Sequence, residues 1–351
     1  MSIFDSIDID TLLKRIQKRG YGISLAVSKD EETETYCFGS GRYGQDFPIN
    51  PDTLFQAGSV SKPLFALTLL RYVDQGRIDL EADISALLSD FVKEPPLTFP
   101  ALLSHTAGYN VHGFMGYRAD APHLSLEDVI AGRGNSKKVV RIKPYGKQHR
   151  YSGGGITLAE LAFTRLAETS LQDAFQKEVA EPLGLTRTGY FQPLDEDLVA
   201  NAAFGGKLAY KRNEDSSHGY HYYPEHAAAG LWTTPKELTK VGIALSRSFR
   251  SGGLIKETTA KRMATPIAGG CGLCLFLNGD TAFHYGGNEG FLTFWKISLK
   301  EDFCVAGMIN NSSGFAFKAI EKIQHALFEN LKNPDNEAGS ANGQNRSETR
   351  K

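Results

Sequence analysis

The stretch Gly58-Ser59-Val60-Ser61-Lys62 lies where a loop gives way to the strongest helical pattern in the chain. Apolar residues then recur at helical spacing to about Val73, and Gly76 is a stop signal. Because residues at i and i+3 project from one face of a helix, the Ser59 hydroxyl and the Lys62 amine are close enough to form a hydrogen bond. The sequence therefore predicts a helix that presents a serine and a lysine together at its start.

This pairing supports nucleophilic chemistry only under a specific condition. A serine hydroxyl is a poor nucleophile unless a neighbouring base accepts its proton, and lysine is such a base only when burial or nearby cations lower its pKa. A helix N-terminus adds positive potential and N–H groups that can stabilise an oxyanion. The alternative is a serine cap followed by a surface lysine, and a lone Ser-x-x-Lys pattern does not exclude it.

Two further motifs accompany this pair. Arg150-Tyr151-Ser152-Gly153 falls in a region of helical patterns, and Phe283-His284-Tyr285-Gly286-Gly287 falls on a predicted strand. Three supporting segments occur in the same order along the chain, namely Leu102–Gly108, Pro182–Thr188 and Ala229–Pro235. Together these motifs resemble the class C β-lactamase-like serine hydrolases, including their penicillin-binding-protein-like and esterase-like branch, over about residues 15 to 330.

The resemblance implies a catalytic role for three side chains. Ser59 corresponds to the acylated nucleophile, Lys62 to the base that activates it, and Tyr151 to a partner in the proton relay. The family's oxyanion hole corresponds to the backbone N–H groups of Ser59 and Gly287. The resemblance implies neither a metal nor a cofactor.

His284, Tyr285 and Gly286 correspond to the strand that lines the substrate site, and two departures from the family pattern occur. The family's second motif is Tyr-x-Asn, and Gly153 stands at the position of its asparagine. The family's third motif is Lys-Thr-Gly, and His284, which is mostly neutral at pH 7, stands at the position of its lysine. Both changes favour a small-molecule acyl substrate, an ester, thioester or small amide or peptide, over a β-lactam. The alternatives are an acyltransferase or peptide cyclase with an acceptor other than water, and a catalytically decayed binding protein.

The order of patterns predicts an α+β fold with an antiparallel sheet flanked by helices and built from both ends of the chain. We expect residues 1–80 and 231–332 to form the sheet domain and residues 81–230 to form a mainly helical insertion. A helix over Asp10–Arg19 and strands at Gly272–Leu277 and Phe303–Ile309 are also predicted. The polar residues 333–351 have the composition of a disordered tail.

Composition limits the partners that are expected. The 351 residues carry 39 basic and 40 acidic side chains, so no strong field attracts nucleic acid. No apolar run is long enough to span a membrane, and no signal peptide is recognisable, so we expect a cytoplasmic protein without a membrane partner. The four cysteines are too few for a disulfide framework. Oligomeric state is left open by the sequence.

Three other patterns are interpreted as structural. Gly39–Gly44 matches a dinucleotide-binding motif, but the prolines that follow argue against the required helix. Cys271 and Cys274 are interpreted as buried strand residues. The histidines His218, His221 and His226 are interpreted as part of a loop near the cleft and not as metal ligands.

Overall fold

An antiparallel sheet of six strands is the largest element of the computed structural model, which describes residues 13–330 except 15, 17, 95, 119 and 206–218. The strands are β1 Gly22–Lys29, β2 Glu32–Gly39, β3 Phe55–Gln56, β4 Tyr117–Arg118, β5 His221–Tyr222, β6 Trp232–Thr233, β7 Phe276–Asn278, β8 Thr281–Asn288, β9 Phe291–Ser298 and β10 Phe303–Ile309. The large sheet has the order β2-β1-β10-β9-β8-β7, while β3 pairs with β6 and β4 with β5.

Most helices lie between the first and last strands of this sheet. They are α1 Ser61–Asp74, α2 Phe99–Leu103, α3 Leu126–Ala131, α4 Gly153–Ala167, α5 Leu171–Phe175, α6 Glu181–Leu183, α7 Glu196–Ala200, α8 His226–Ala229, α9 Pro235–Ser251, α10 Glu257–Met263 and α11 Gly314–His325. Tighter 3-10 turns form at Gly58–Val60 and Ser85–Leu88, and wider π-type turns at Gln176–Ala180 and Ala326–Asn330.

The central strands are buried on both faces by helices α9 and α11. Ala306 of β10 belongs to the same apolar cluster as Val241 of α9, whereas its neighbour Val305 belongs to the cluster of Ile323 of α11. Successive side chains of a strand point to opposite faces, so each face of β10 has its own helix. This explains why β1 and β10 are almost continuously buried rather than alternating between buried and exposed residues.

Buried Asn310 joins three separate parts of the chain at one end of the sheet. Its Oδ1 accepts the N–H of Gly22 at 2.8 Å. Its Nδ2 lies within hydrogen-bonding distance of three carbonyl oxygens, those of Ser40 at 3.2 Å, Gly41 at 2.8 Å and Phe204 at 3.1 Å. One amide therefore holds the start of β1, the loop after β2 and the chain beyond α7 together.

The predicted α+β class with an antiparallel sheet is confirmed by this topology, and β10 has the predicted bounds. The prediction of a strand over Gly272–Leu277 is wrong, because β7 begins only at Phe276. Cys274 has a left-handed backbone (φ 57°), and its N–H donates to Leu103 outside the sheet. The cysteines Cys271 and Cys274 are buried, as expected, but they precede the strand.

The division into a sheet domain and an inserted helical domain stays a prediction. The predicted disordered tail lies outside the described residues, as do residues 10–12, 15 and 17 of the predicted first helix. No helix within residues 13–330 that the structure describes is long and apolar enough to cross a bilayer.

Replacing Asn310 by aspartate is expected to lower the free energy of unfolding by about 3 kcal/mol, because a carboxylate oxygen would then face carbonyl oxygens in a buried place. Urea denaturation followed by circular dichroism measures the change. Asn278→Asp, at the exposed end of β7, is the matched control and should stay within about 0.5 kcal/mol of the parent. Equal losses in both variants would contradict the role given to Asn310.

Candidate active site

Ser59 and Lys62 meet at the turn that leads into α1. Ser59 is the middle residue of the Gly58–Val60 turn, and α1 follows immediately. The Lys62 Nζ donates to the Ser59 Oγ at 2.9 Å and to the carbonyl oxygen of Ala228 at 2.6 Å. The predicted serine–lysine contact is therefore present, and α8 supplies the second acceptor that fixes the amine.

Burial changes the chemistry of the Lys62 amine. The side chain is 1% exposed, and loss of hydration lowers the pKa of Lys62 to about 7, although Cys274 and Glu225 act in the opposite direction. A substantial fraction of Lys62 is therefore neutral near pH 7. A neutral amine beside a hydroxyl can accept its proton, which an ordinary surface lysine cannot do at this pH.

Tyr151 lies beside this pair and is surrounded by aromatic rings. Its ring centroid is 4.3 Å from that of buried His105 and 4.8 Å from that of exposed His112. The Lys62 Nζ is 5.1 Å from the Tyr151 ring centroid. Burial raises the pKa of the Tyr151 hydroxyl, while a hydrogen bond with the Ser59 side chain acts in the opposite direction. Tyr151 is therefore a neutral phenol that can donate a proton near Ser59.

The N-terminus of α4 fixes the position of Tyr151. Ser152 caps this helix by accepting the N–H of Gly155 and donates its own hydroxyl to the carbonyl oxygen of Asn110 at 2.6 Å. The N–H of Gly153 donates to the carbonyl oxygen of His112, and the N–H of Gly154 donates to that of Val111. The first turn of α4 is thus attached to the preceding loop through its free N–H groups.

The same contacts account for glycine at position 153. A Cβ atom there would lie 2.9 Å from the Phe114 ring and 3.1 Å from the carbonyl oxygen of His112. Val111 adopts φ 56°, a left-handed conformation that is costly for a β-branched residue, as the loop crosses this helix end. The loop therefore occupies the space into which the asparagine of the Tyr-x-Asn motif would project.

A close approach of two backbones aligns the Ser59 turn with β8. Gly58 has φ 53°, and a Cβ atom on it would lie 2.6 Å from the amide nitrogen of Gly287. A Cβ atom on Gly286 would lie 1.9 Å from the carbonyl oxygen of Ala57. Only glycine permits this spacing. The backbone around Ser59 consequently lies directly against that of Gly286 and Gly287.

His284 contributes no positive charge to the site. Its side chain is 2% exposed, and burial together with the nearby Lys62 lowers the pKa of His284 to about 3. The Nδ1 lies 2.7 Å from the carbonyl oxygen of Tyr285, so this nitrogen carries the proton of the neutral ring. The Nε2 is covered and has no hydrogen-bond partner among the described residues.

The histidines near the cleft do not form a metal site in the described part of the chain. His221 contacts the carbonyl oxygen of Met115 through its Nδ1, and His226 lies 3.8 Å from Glu160. His218 lies outside the described residues. The interpretation of this stretch as a loop is wrong for the two described histidines, because His221 lies in β5 and His226 is the first residue of α8.

A cavity of about 380 Å³ opens above Ser59. Besides the residues predicted from the sequence, its lining includes nine that were not predicted: His112, Gly113, Phe114, Ala228, Ala229, Phe276, Asn288, Leu292 and Phe317. They come from one loop, three strands and two helices, and no single sequence motif connects them. For Phe317 the sequence contains one indication of a binding role, since this aromatic residue lies on the otherwise polar face of a helix that packs on the sheet.

The fold and the serine–lysine–tyrosine site together define a class of protein, and three comparisons agree with it. The family profile described as Beta-lactamase matches residues 9–328. The Bacillus subtilis (strain 168) protein PbpX, named as a penicillin-binding protein, is 22% identical over 249 residues. Esterase EstB of Burkholderia gladioli is 40% identical over 89 residues, and these cover 24% of this chain and 23% of that protein.

Among solved structures, D-amino acid amidase from Ochrobactrum anthropi SV3 superposes with a TM-score of 0.76 at 20% identity, covering 93% of this chain and 99% of that one. The alignment with PbpX covers 70% of this chain but only 59% of that protein, so the chain spans less than two thirds of these curated relatives. The chain belongs to the β-lactamase family.

Gly286→Ala is expected to lower the melting temperature by about 5 °C or more, because the added methyl group would collide with the Ala57 carbonyl oxygen. Gly287→Ala is the matched control, since its methyl group would meet only Leu292 at 3.4 Å. Differential scanning calorimetry compares the two. Equal melting temperatures would contradict the close approach described here.

Proposed function

We propose that this protein is a serine hydrolase that acts through an acyl-enzyme on Ser59. The observation that carries the proposal is the buried Lys62 amine, 2.9 Å from the Ser59 Oγ, with a pKa lowered to about 7. The family membership and the esterase and amidase names among its relatives support the same class. Substrates are esters, thioesters or small amides and peptides.

Acylation begins when the Ser59 Oγ attacks the substrate carbonyl carbon and its proton passes to Lys62. The carbonyl oxygen becomes an oxyanion, which the N–H groups of Ser59 and Gly287 stabilise. The bond to the leaving group then breaks. The leaving oxygen, sulfur or nitrogen takes a proton from Tyr151, and Lys62 returns its proton to the phenolate.

Deacylation reverses these roles with water as the nucleophile. Water loses a proton to the Tyr151 and Lys62 pair as it attacks the acyl carbonyl, and the Ser59 oxygen regains a proton as the acid leaves. An amine or alcohol in place of water would give acyl transfer or cyclisation. We favour hydrolysis because the Ser59 hydroxyl lies at a cavity that is open to solvent.

The site supports ester and amide substrates better than β-lactams. The family asparagine that would hold a substrate carbonyl is Gly153, and Phe114 and the His112 backbone lie where its side chain would extend. His284 is neutral, so it would attract a substrate carboxylate much less strongly than a lysine at this position. The intact contact between Lys62 and Ser59 favours catalysis over a decayed binding protein.

A fluorophosphonate probe is expected to label Ser59, because the neutral lysine activates this hydroxyl. Peptide mass spectrometry locates the adduct. The Ser59→Ala variant should lose both the adduct and at least about 1,000-fold of the p-nitrophenyl acetate hydrolysis. Turnover that survives in Ser59→Ala, or an adduct on another residue, would overturn the proposal.

The pH profile of p-nitrophenyl acetate hydrolysis should rise about tenfold per pH unit up to about pH 7 and then level off. The sign follows because Lys62 accepts a proton only when neutral, and its neutral fraction is lost as the pH falls. Because the Glu225 carboxylate raises the pKa of Lys62, Glu225→Gln should move the inflection to lower pH. An inflection near pH 10 would show that Lys62 is not desolvated.

A further inference from the structure

Phe317 is an apolar side chain that the fold does not bury. It lies in the first turn of α11 and is 56% exposed, whereas Ala316 and Ile320 of the same helix pack on the sheet. Its ring faces the cavity above Ser59. An exposed phenylalanine at a cavity is a frequent mark of a ligand contact.

Two neighbours extend this apolar surface. Leu292 of β9 lines the same cavity, as does Tyr285 of β8, which is 42% exposed. The Tyr285 hydroxyl donates to the Gln324 Oε1 of α11 at 3.0 Å, so the ring is held against the helix that carries Phe317. The tyrosine is therefore fixed in place, and its ring forms part of the wall.

The charges around the cavity are few. Among the described residues that line it, Lys62 is the only lysine or arginine, and no aspartate or glutamate is present. Lys62 is already engaged by Ser59 and Ala228. A charged substituent would lose its hydration here without gaining an ionic partner.

We propose that Phe317, Leu292 and Tyr285 form a subsite for an uncharged aromatic or branched aliphatic group attached next to the scissile carbonyl. The subsite rests on the proposed hydrolase function, which it deepens by defining the substrate class. The cavity of about 380 Å³ is close to the lower end of small-molecule sites, which span about 300–1,000 Å³, so it accommodates a compact substituent.

The test compares the parent with Phe317→Ala on p-nitrophenyl esters of acetic, phenylacetic and succinic acid. The parent should prefer phenylacetate to both other esters. In Phe317→Ala the phenylacetate-to-acetate ratio of kcat/KM should fall about tenfold, because the phenyl ring of the substrate loses its apolar contact with Phe317. A parent preference for the anionic succinate ester, or an unchanged ratio in Phe317→Ala, would overturn the proposal.

Phe315→Ala is the matched control, since Phe315 lies on the same helix, packs in the cluster under the sheet and does not line the cavity. Its ratio should equal that of the parent. A second series with acetyl esters of phenol and ethanol tests whether Phe317 contacts the leaving group of the substrate instead of its acyl group. A fall in the phenyl preference of Phe317→Ala in this second series would place the leaving group on Phe317 and overturn the acyl-side subsite.

Binding separates failure of the subsite from failure of the hydrolase. Ser59→Ala cannot form an acyl-enzyme, so calorimetry with phenylacetamide and acetamide measures recognition alone. Phenylacetamide should bind more tightly than acetamide, and adding Phe317→Ala should weaken it about tenfold. If turnover is absent but this preference is present, the subsite stands and the hydrolase proposal fails. Equal binding of the two amides overturns the subsite.

Discussion

Burial of the Lys62 amine away from water is the constraint on which the rest of the site depends. A shift of the Lys62 pKa from about 10.4 to about 7 corresponds to roughly 5 kcal/mol of lost preference for the charged form. The surrounding fold has to supply that free energy. It does so by enclosing α1 within the core and, among the described residues, by offering the amine two acceptors, the Ser59 hydroxyl and the Ala228 carbonyl oxygen.

The second requirement is that separate backbones approach one another closely. Gly58 and Gly286 let the turn before α1 touch β8, while Gly153 lets the loop of Val111 cross the start of α4. At each of these glycines, the absence of a side chain lets a main-chain N–H group or carbonyl oxygen of another segment approach closely. The site is therefore defined as much by absent side chains as by Ser59, Lys62 and Tyr151.

The sequence predicted what depends on local pattern. Continuous apolar runs indicated β10 with its observed bounds, and the ordered motifs pointed to Ser59, Lys62 and Tyr151, which the fold brings together. It did not predict what depends on contacts between distant segments. Cys274 leaves the strand because its amide bonds to Leu103, and Phe317 reaches the cavity only because α11 packs against β9 and β10.

The antiparallel pairing of β1 with β10 also has a consequence for the growing chain. Ile23 pairs with Ile309, and the turn that carries Ser59 contacts Gly287. In both cases, a segment synthesised early can form its contact only after a segment near residue 290 or 309 has been synthesised. Contacts of such large sequence separation form slowly, because a long loop has to close before they are made. A ribosome-bound chain that has not yet released β8 carries Ser59 and Lys62 but lacks the strand that lies against them. The Ser59 turn therefore gains its contact with β8 only after residues 281–288 have been synthesised.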